Sequence, residues 1–208
     1  MPEVEYWDII DYAEAWERQK KLVAEIQTKR NRSVLALCQH PSVITIGRNG
    51  TGDNVVADRK FLEHKGIKVY DVDRGGDVTL HNPGQIVGYP IFNLLDYKQD
   101  LHWFLREIEE CIIETLEDFG IKSGRVEGLT GVWVDGRRKI CAMGLHCSRW
   151  VTSHGFAMNV CNDLREFGFI VPCGLTDKEV TSIEKELGTK IEINIVQEKL
   201  VEVFCKHF

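Results

Sequence analysis

The stretch GVWVDGRRKICAMGL, residues 131–145, decides the fold class. Two apolar-alternating runs meet at Asp135-Gly136, a strong short-range signal for a β-hairpin. Beyond the turn, period-two alternation puts Lys139 on one face with Cys141, Met143 and Leu145, and Ile140, Ala142 and Gly144 on the other. Both faces are apolar, so this strand is expected to be buried on both sides, with Lys139 at its mouth.

Working outward, the flanking elements do not alternate as regular βαβ units. On the N-terminal side, Asp100 is expected to cap a long amphipathic helix bearing Leu101, Phe104, Leu105, Ile108, Cys111, Ile112 and Leu116, stopped by Gly120. Before it, IVGYPIFNL, IKVYDV, SVITIG and SVLALC read as strands, and ADRKFLEHK as a short helix ending at Gly66. Asp11 and Glu14 suggest a capping box for a helix through about Lys29. On the C-terminal side, HGFAMNV reads as a strand, while TDKEVTSIEKELG and the tail from Asn194 read as helices. The expected class is α+β, a mixed β-sheet flanked by helices. The 208 residues suit a single catalytic domain, with the segment after about residue 176 as an optional small lobe.

A formal charge of -6 argues against a nucleic-acid protein. No window approaches the roughly 18 apolar residues of a membrane span, and the acidic start MPEVEYWDII carries no signal-peptide pattern. Seven cysteines at irregular spacing do not form a disulfide framework, so a cytoplasmic setting is expected.

The chemistry-bearing residues fall in three places. The first is RGGDVTLHNPGQ, Arg74 to Gln85, with three glycines and a proline in twelve residues. It reads either as a tight turn between strands or as a loop shaped around a small ligand. The absence of GxxxxGK[ST] gives nucleotide binding no support. The second is Lys139, beside a desolvated strand. Such a lysine serves as an acid or base, or simply snorkels from the strand end. The third is Cys173, in IVPCGL, where Pro172 and Gly174 interrupt regular structure. An exposed, positioned thiol and an ordinary loop cysteine are both consistent with that setting. Cys38, Cys111 and Cys205 are expected to be buried and structural, as are Cys141, Cys147 and Cys161. Histidines at 81, 146 and 154 are available to activate a thiol. No CxxC or HxxxH pair suggests a metal site.

Taken together, HPSVITIGR (40–48), RGGDVTLHNPGQ (74–85) and KICAMGLHCSRWVTSHGFAMNV leading to VPCGL (139–175) resemble the lipoyl(octanoyl) transferases, in matching order over most of the chain. The resemblance implies the fold of the biotin and lipoate ligase catalytic domains. It implies a cysteine nucleophile at Cys173 and a lysine at Lys139 that lowers its pKa. It implies substrate contacts at Arg74, Gly75, Gly76, Asp77, Val78, Thr79, Leu80 and His81, at Ala142, Met143 and Gly144, and at Gly155, Phe156 and Ala157. The family usually shows tyrosine and glycine where this chain has Leu80 and Asn82.

The implied reaction moves an octanoyl group from octanoyl-acyl carrier protein, through a Cys173 thioester, to a lysine of a lipoyl domain. Acceptors would be the lipoyl domains of 2-oxoacid dehydrogenase complexes or the glycine cleavage H protein, with no cofactor, nucleic acid or membrane involved. An ATP-dependent lipoate ligase and a non-catalytic lipid-binding module on the same scaffold are the alternatives. Arg137, Arg138 and Arg149 read either as solvated surface or as a docking patch for an acidic partner.

Overall fold

A computed structural model describes residues 1–29, 32–171 and 178–208. In chain order its elements are β1 (Glu3–Ile9), α1 (Tyr12–Lys29), β2 (Val34–Gln39), β3 (Val43–Ile46), α2 (Arg59–His64), β4 (Lys68–Asp71), β5 (Val78–His81) and β6 (Gln85–Ile91). Then follow α3 (Leu101–Asp118), β7 (Ser123–Val126), β8 (Leu129–Val134), β9 (Arg138–Ser148), β10 (Val151–Asn159), β11 (Glu179–Val180), α4 (Ile183–Leu187) and α5 (Ile193–His207). The large sheet runs β1-β2-β6-β10-β9-β8-β7, with β11 against the start of β9, and a small sheet runs β4-β3-β5. Parallel β1–β2 and β3–β4 pairs among antiparallel ones make the fold α+β with mixed sheets. Among the described residues no helix is long and apolar enough to cross a membrane.

The Asp135-Gly136 hairpin forms as read. Both residues have positive φ, 49° and 64°, and the Arg137 N–H donates to the Val134 carbonyl at 3.1 Å. A second two-residue turn joins β9 to β10 through Arg149 and Trp150, at φ 49° and 65° without a glycine.

α3 and α5 cover one face of the large sheet. Phe104, Ile108, Cys111, Ile112 and Leu116 recur at helical spacing and meet Val196, Leu200, Val203 and Phe204 in the main core. Asp100 caps α3, its side chain accepting from the Trp103 N–H at 3.0 Å. α1 covers the opposite face with Ala15, Leu22 and Ile26. Asp11 accepts from the Ala13 N–H at 2.9 Å, but Glu14 pairs with Arg18 at 2.7 Å instead of reaching back as in a capping box.

Four further expectations change. Within RGGDVTLHNPGQ, Val78–His81 is a regular strand, and the irregular backbone is confined to its flanks. Residues 178–188 are not one helix. β10 reaches only as far as Cys141, so the side of Arg138 and Lys139 beyond it is taken by Glu179 and Val180. Ser182 then caps the short α4.

Strict alternation also fails at the start of β9. Val132 pairs with Cys141 but Trp133 pairs with Lys139, a bulge of one extra β9 residue. Cys141 therefore packs in the main core, while Lys139 lines a cavity. Among the cysteines expected to be buried, finally, Cys161 is exposed and Cys147 and Cys205 are only half-buried.

Candidate active site

A cavity of about 490 Å³ opens between the small sheet and the β6-β10-β9 part of the large one. Three separate parts of the chain supply much of its wall. The loop before β5 and β5 itself supply Arg74, Gly75, Gly76, Asp77, Val78, Thr79 and His81; β9 supplies Lys139, Ala142, Met143 and Gly144; β10 supplies Gly155, Phe156 and Ala157. Leu80 is elsewhere, fully buried with Ile44, Ile46 and Leu62 in the core under the small sheet. Asn82 also turns away, donating to the Asp163 carbonyl and to Glu166, each at 2.9 Å. Leu80 and Asn82, the two departures from the family pattern, thus stand outside the cavity wall. Cys173, with Pro172 and Gly174, lies outside the described residues.

The loop is held down by close backbone approach. The Gly75 N–H donates to the Leu145 carbonyl at 2.9 Å, and a Cβ on Gly144 would lie 2.5 Å from the Gly75 oxygen. Only glycine at 144 lets the two strands of backbone meet there. Arg74 is buried and stitches the loop to β3. Its guanidinium donates to the Thr45 carbonyl at 2.7 Å and to the Thr45 hydroxyl at 3.0 and 3.2 Å.

Lys139 stands 8% exposed at the cavity wall. Its Nζ lies 4.5 Å from the centre of the Trp133 ring. Its carbonyl accepts from the Thr181 N–H at 2.9 Å, so β11 fixes its backbone.

Orientation within the wall is dictated by a hydrogen-bond chain. Asn159 donates to the Thr181 carbonyl at 2.9 Å and so turns its oxygen to the Gln85 amide, also at 2.9 Å. Gln85 donates to the Leu80 carbonyl as well, which leaves its own oxygen 3.1 Å from Nδ1 of His81. Nδ1 of His81 must then carry the proton. Burial, followed by the neighbouring His40 and Arg74, holds His81 well below the usual histidine range, so the ring is neutral.

Sequence reasoning did not single out Tyr12 and Tyr89, or Leu101 and Leu105 of α3, which also line the cavity. It named His154 only as one available base. His154 lines the cavity too, and Nε2 lies 2.7 Å from Asp73. No pattern in the sequence marks those aromatic and leucine positions, because each sits on an element whose spacing is already explained by the core.

Four of the described cysteines are chemically quiet. Burial pushes the thiols of Cys38, Cys111, Cys141 and Cys147 up, away from the reactive thiolate. Among the described residues no cluster of three or more histidine, cysteine or acidic side chains is placed to hold a metal.

Residues 11–205 match the Lipoyl protein ligase A/B catalytic domain. The chain is 51% identical over 199 residues to the octanoyltransferase of Solibacter usitatus, covering 96% of this chain and 89% of the relative. It is 45% identical over 217 residues to that of Cytophaga hutchinsonii, with the same coverage of 96% and 89%. In fold it resembles a crystal structure of lipoate-protein ligase A bound with ATP, with a TM-score of 0.76, 16% identity and coverage of 99% and 85%. The bi-partite lipoate protein ligase of Thermoplasma acidophilum is alike at a TM-score of 0.75 and 17% identity, covering 99% and 83%. With a family match over nearly the whole chain and relatives at this identity, the chain belongs to the lipoyl protein ligase A/B catalytic-domain family and, within it, to the octanoyltransferases, which are acyltransferases.

Proposed function

We propose that the protein takes an octanoyl group from octanoyl-acyl carrier protein onto Cys173 and passes it to a lysine of a lipoyl domain. The observation that carries this reading is the convergence of three distant segments, 74–81, 139–144 and 155–157, on one cavity. The octanoyltransferase relatives supply the acyl group.

In the first half, the Cys173 thiol gives its proton to Lys139, and the thiolate attacks the thioester carbonyl. A backbone N–H near Gly144 or Cys173 stabilises the tetrahedral oxyanion, and one such donor contributes about 3 kcal/mol. The carrier thiolate leaves with the proton from Lys139. In the second half, the acceptor lysine attacks the octanoyl-Cys173 thioester, and the cysteine thiolate departs. Apolar side chains, including Leu101, Leu105 and Phe156, face the acyl chain. Acceptors are lipoyl domains of 2-oxoacid dehydrogenase complexes or the glycine cleavage H protein.

Intact mass after mixing with octanoyl-acyl carrier protein, without ATP, tests this. One octanoyl adduct mapped to the Cys173 peptide is expected. A requirement for ATP, or a competent adduct elsewhere, would overturn it.

A further inference from the structure

Proton balance separates the two halves of this reaction. Thioester exchange between the carrier and Cys173 has no net proton to dispose of. The amine step has one: at neutral pH the acceptor arrives as an ammonium group with an ordinary pKa near 10.4 and ends as a neutral amide. The enzyme's thiol and Lys139 return to their starting states, so that proton must reach solvent.

Next to the cavity stands a side-chain chain that ends in solvent. His154 is 2% exposed and lines the cavity. Its Nε2 lies 2.7 Å from Asp73 Oδ1, and the other oxygen of Asp73 lies 3.5 Å from Nε2 of His146. The His154 side chain is 2% exposed, whereas Asp73 at 44% and His146 at 21% both reach solvent. An ionised carboxylate only accepts, so Nε2 of His154 carries the proton and Nδ1 keeps a lone pair. That is the arrangement in which a carboxylate orients an imidazole as a base.

The backbone agrees. His154 adopts φ 57° inside β10, a left-handed state that is uphill for any residue with a Cβ. It is held there by the Gln19 side chain, which accepts from its N–H at 2.9 Å.

We propose that His154, Asp73 and His146 form the path by which the acceptor amine's proton leaves the cavity. The proposal rests on the acyl-enzyme reading above. The acceptor ammonium gives one proton to Nδ1 of His154, which frees the lone pair that attacks the thioester carbonyl carbon. The second is lost as the tetrahedral adduct collapses and goes to the departing Cys173 thiolate. Nε2 releases its own proton by way of Asp73, which holds it only in passing before His146 or water takes it onward, and exchange with water restores the Nε2–H tautomer.

The groups facing His154 are Asp73 and Arg74 from the loop, His146 from β9 and His81 from β5; α1 presents Trp16 and Gln19, which do not titrate. Burial lowers the His154 pKa against the pull of Asp73, so the ring rests unprotonated at neutral pH. Burial alone would raise Asp73, but the His154 hydrogen bond and the two histidines more than offset it and hold the carboxylate ionised.

The test measures the halves separately: octanoylation of the enzyme by octanoyl-acyl carrier protein, and transfer from the isolated acyl-enzyme to a lipoyl domain. His154→Asn tolerates the left-handed backbone and can still donate to Asp73, but cannot relay a proton. Whatever the substitution in the cavity wall costs octanoylation, transfer at pH 7 is expected to fall at least about 10-fold more, the scale of general acid–base catalysis or below. The deficit should narrow as pH rises towards 10. His154→Gly removes the strain, and its transfer should be rescued by added imidazole, with methylimidazoles ranking by basicity. Equal loss in both halves, unimpaired transfer in H154N, or no rescue of H154G would each overturn the path. Failure of the unmodified protein to form any acyl-enzyme would instead overturn the thioester reading, and the path with it.

Discussion

Nζ of Lys139 lies over the face of Trp133, 4.5 Å from its centre, on the strand with which β9 pairs. A buried lysine is thereby held by an aromatic quadrupole, a contact on the order of 1–2 kcal/mol when desolvated. Trp133→Leu should release it and cut transfer by about 10-fold, while Trp133→Phe, which keeps a ring face, should lose less. Alkylation of Cys173 against pH reports the cause: its midpoint, expected below about 8.5 in the unmodified protein, should rise in W133L. Lys139→Ala should raise it further. Lys139→Arg should not restore activity, because a guanidinium does not give up its proton.

Gly144→Ala sets a methyl group 2.5 Å from the Gly75 oxygen. Backbone must move, at a cost of about 1–3 kcal/mol. Because what moves is the cavity wall, the loss of kcat/KM should exceed what the fall in melting temperature accounts for. Steady-state kinetics beside thermal unfolding separates the two.

Cys173→Ala should abolish transfer and leave unfolding nearly unchanged. Cys111→Ala should do the reverse: Cys111 is fully buried in the main core, and its loss should lower stability by about 1–2 kcal/mol with activity retained. Calorimetry and the octanoylation assay on both variants provide the check.

Stability should fall as pH drops below about 6.5. Burial is the first cause lowering each of His40, His81 and His154, so between their folded values and the ordinary one the unfolded chain binds more protons. Unfolding free energy therefore rises with pH through that window, by up to about 1.4 kcal/mol per pH unit for each histidine. Urea titrations from pH 7 to 5 should show this slope, and His40→Gln should reduce it.

The two arginines at the hairpin tip have different fates. Arg137 is exposed, whereas Arg138 is held by Glu186 at 2.9 Å and by Asp135 at 2.8 Å. Arg137→Glu should slow association with an acidic carrier protein and weaken its salt dependence, leaving a small octanoyl thioester unaffected. Arg138→Glu should impair both donors alike, since it breaks the tie to α4.

Most of the architecture was legible where local signals agree with the tertiary outcome. Asp135-Gly136 and Asp100 did in space what their spacing indicated. β1 was not legible, because EVEYWDI is an edge strand whose charges face water and only Trp7 is buried. β11 was hidden for another reason: two residues pair with β9 through backbone alone, and no side-chain period announces that. The cavity wall was legible through resemblance of whole blocks, not through chemistry read residue by residue. Lys139 illustrates the difference, since alternation put it beside Cys141 and a one-residue bulge moved it to the wall.

β8, β9 and β10 follow one another along the chain through two tight turns, so their contacts close short loops. The loop at Gly75 and the strand at Glu179–Val180 reach β9 only across long stretches of sequence, and each is joined by a few backbone bonds. Contacts of that kind form late and open first. Amides of the β9–β10 ladder should thus exchange with solvent deuterium only in global unfolding, while the amides of Gly75 and Thr181 exchange through cheaper local openings. Lys139 rides on the part that persists, and the loop at Gly75 and the strand at Glu179–Val180 beside it are the part that breathes.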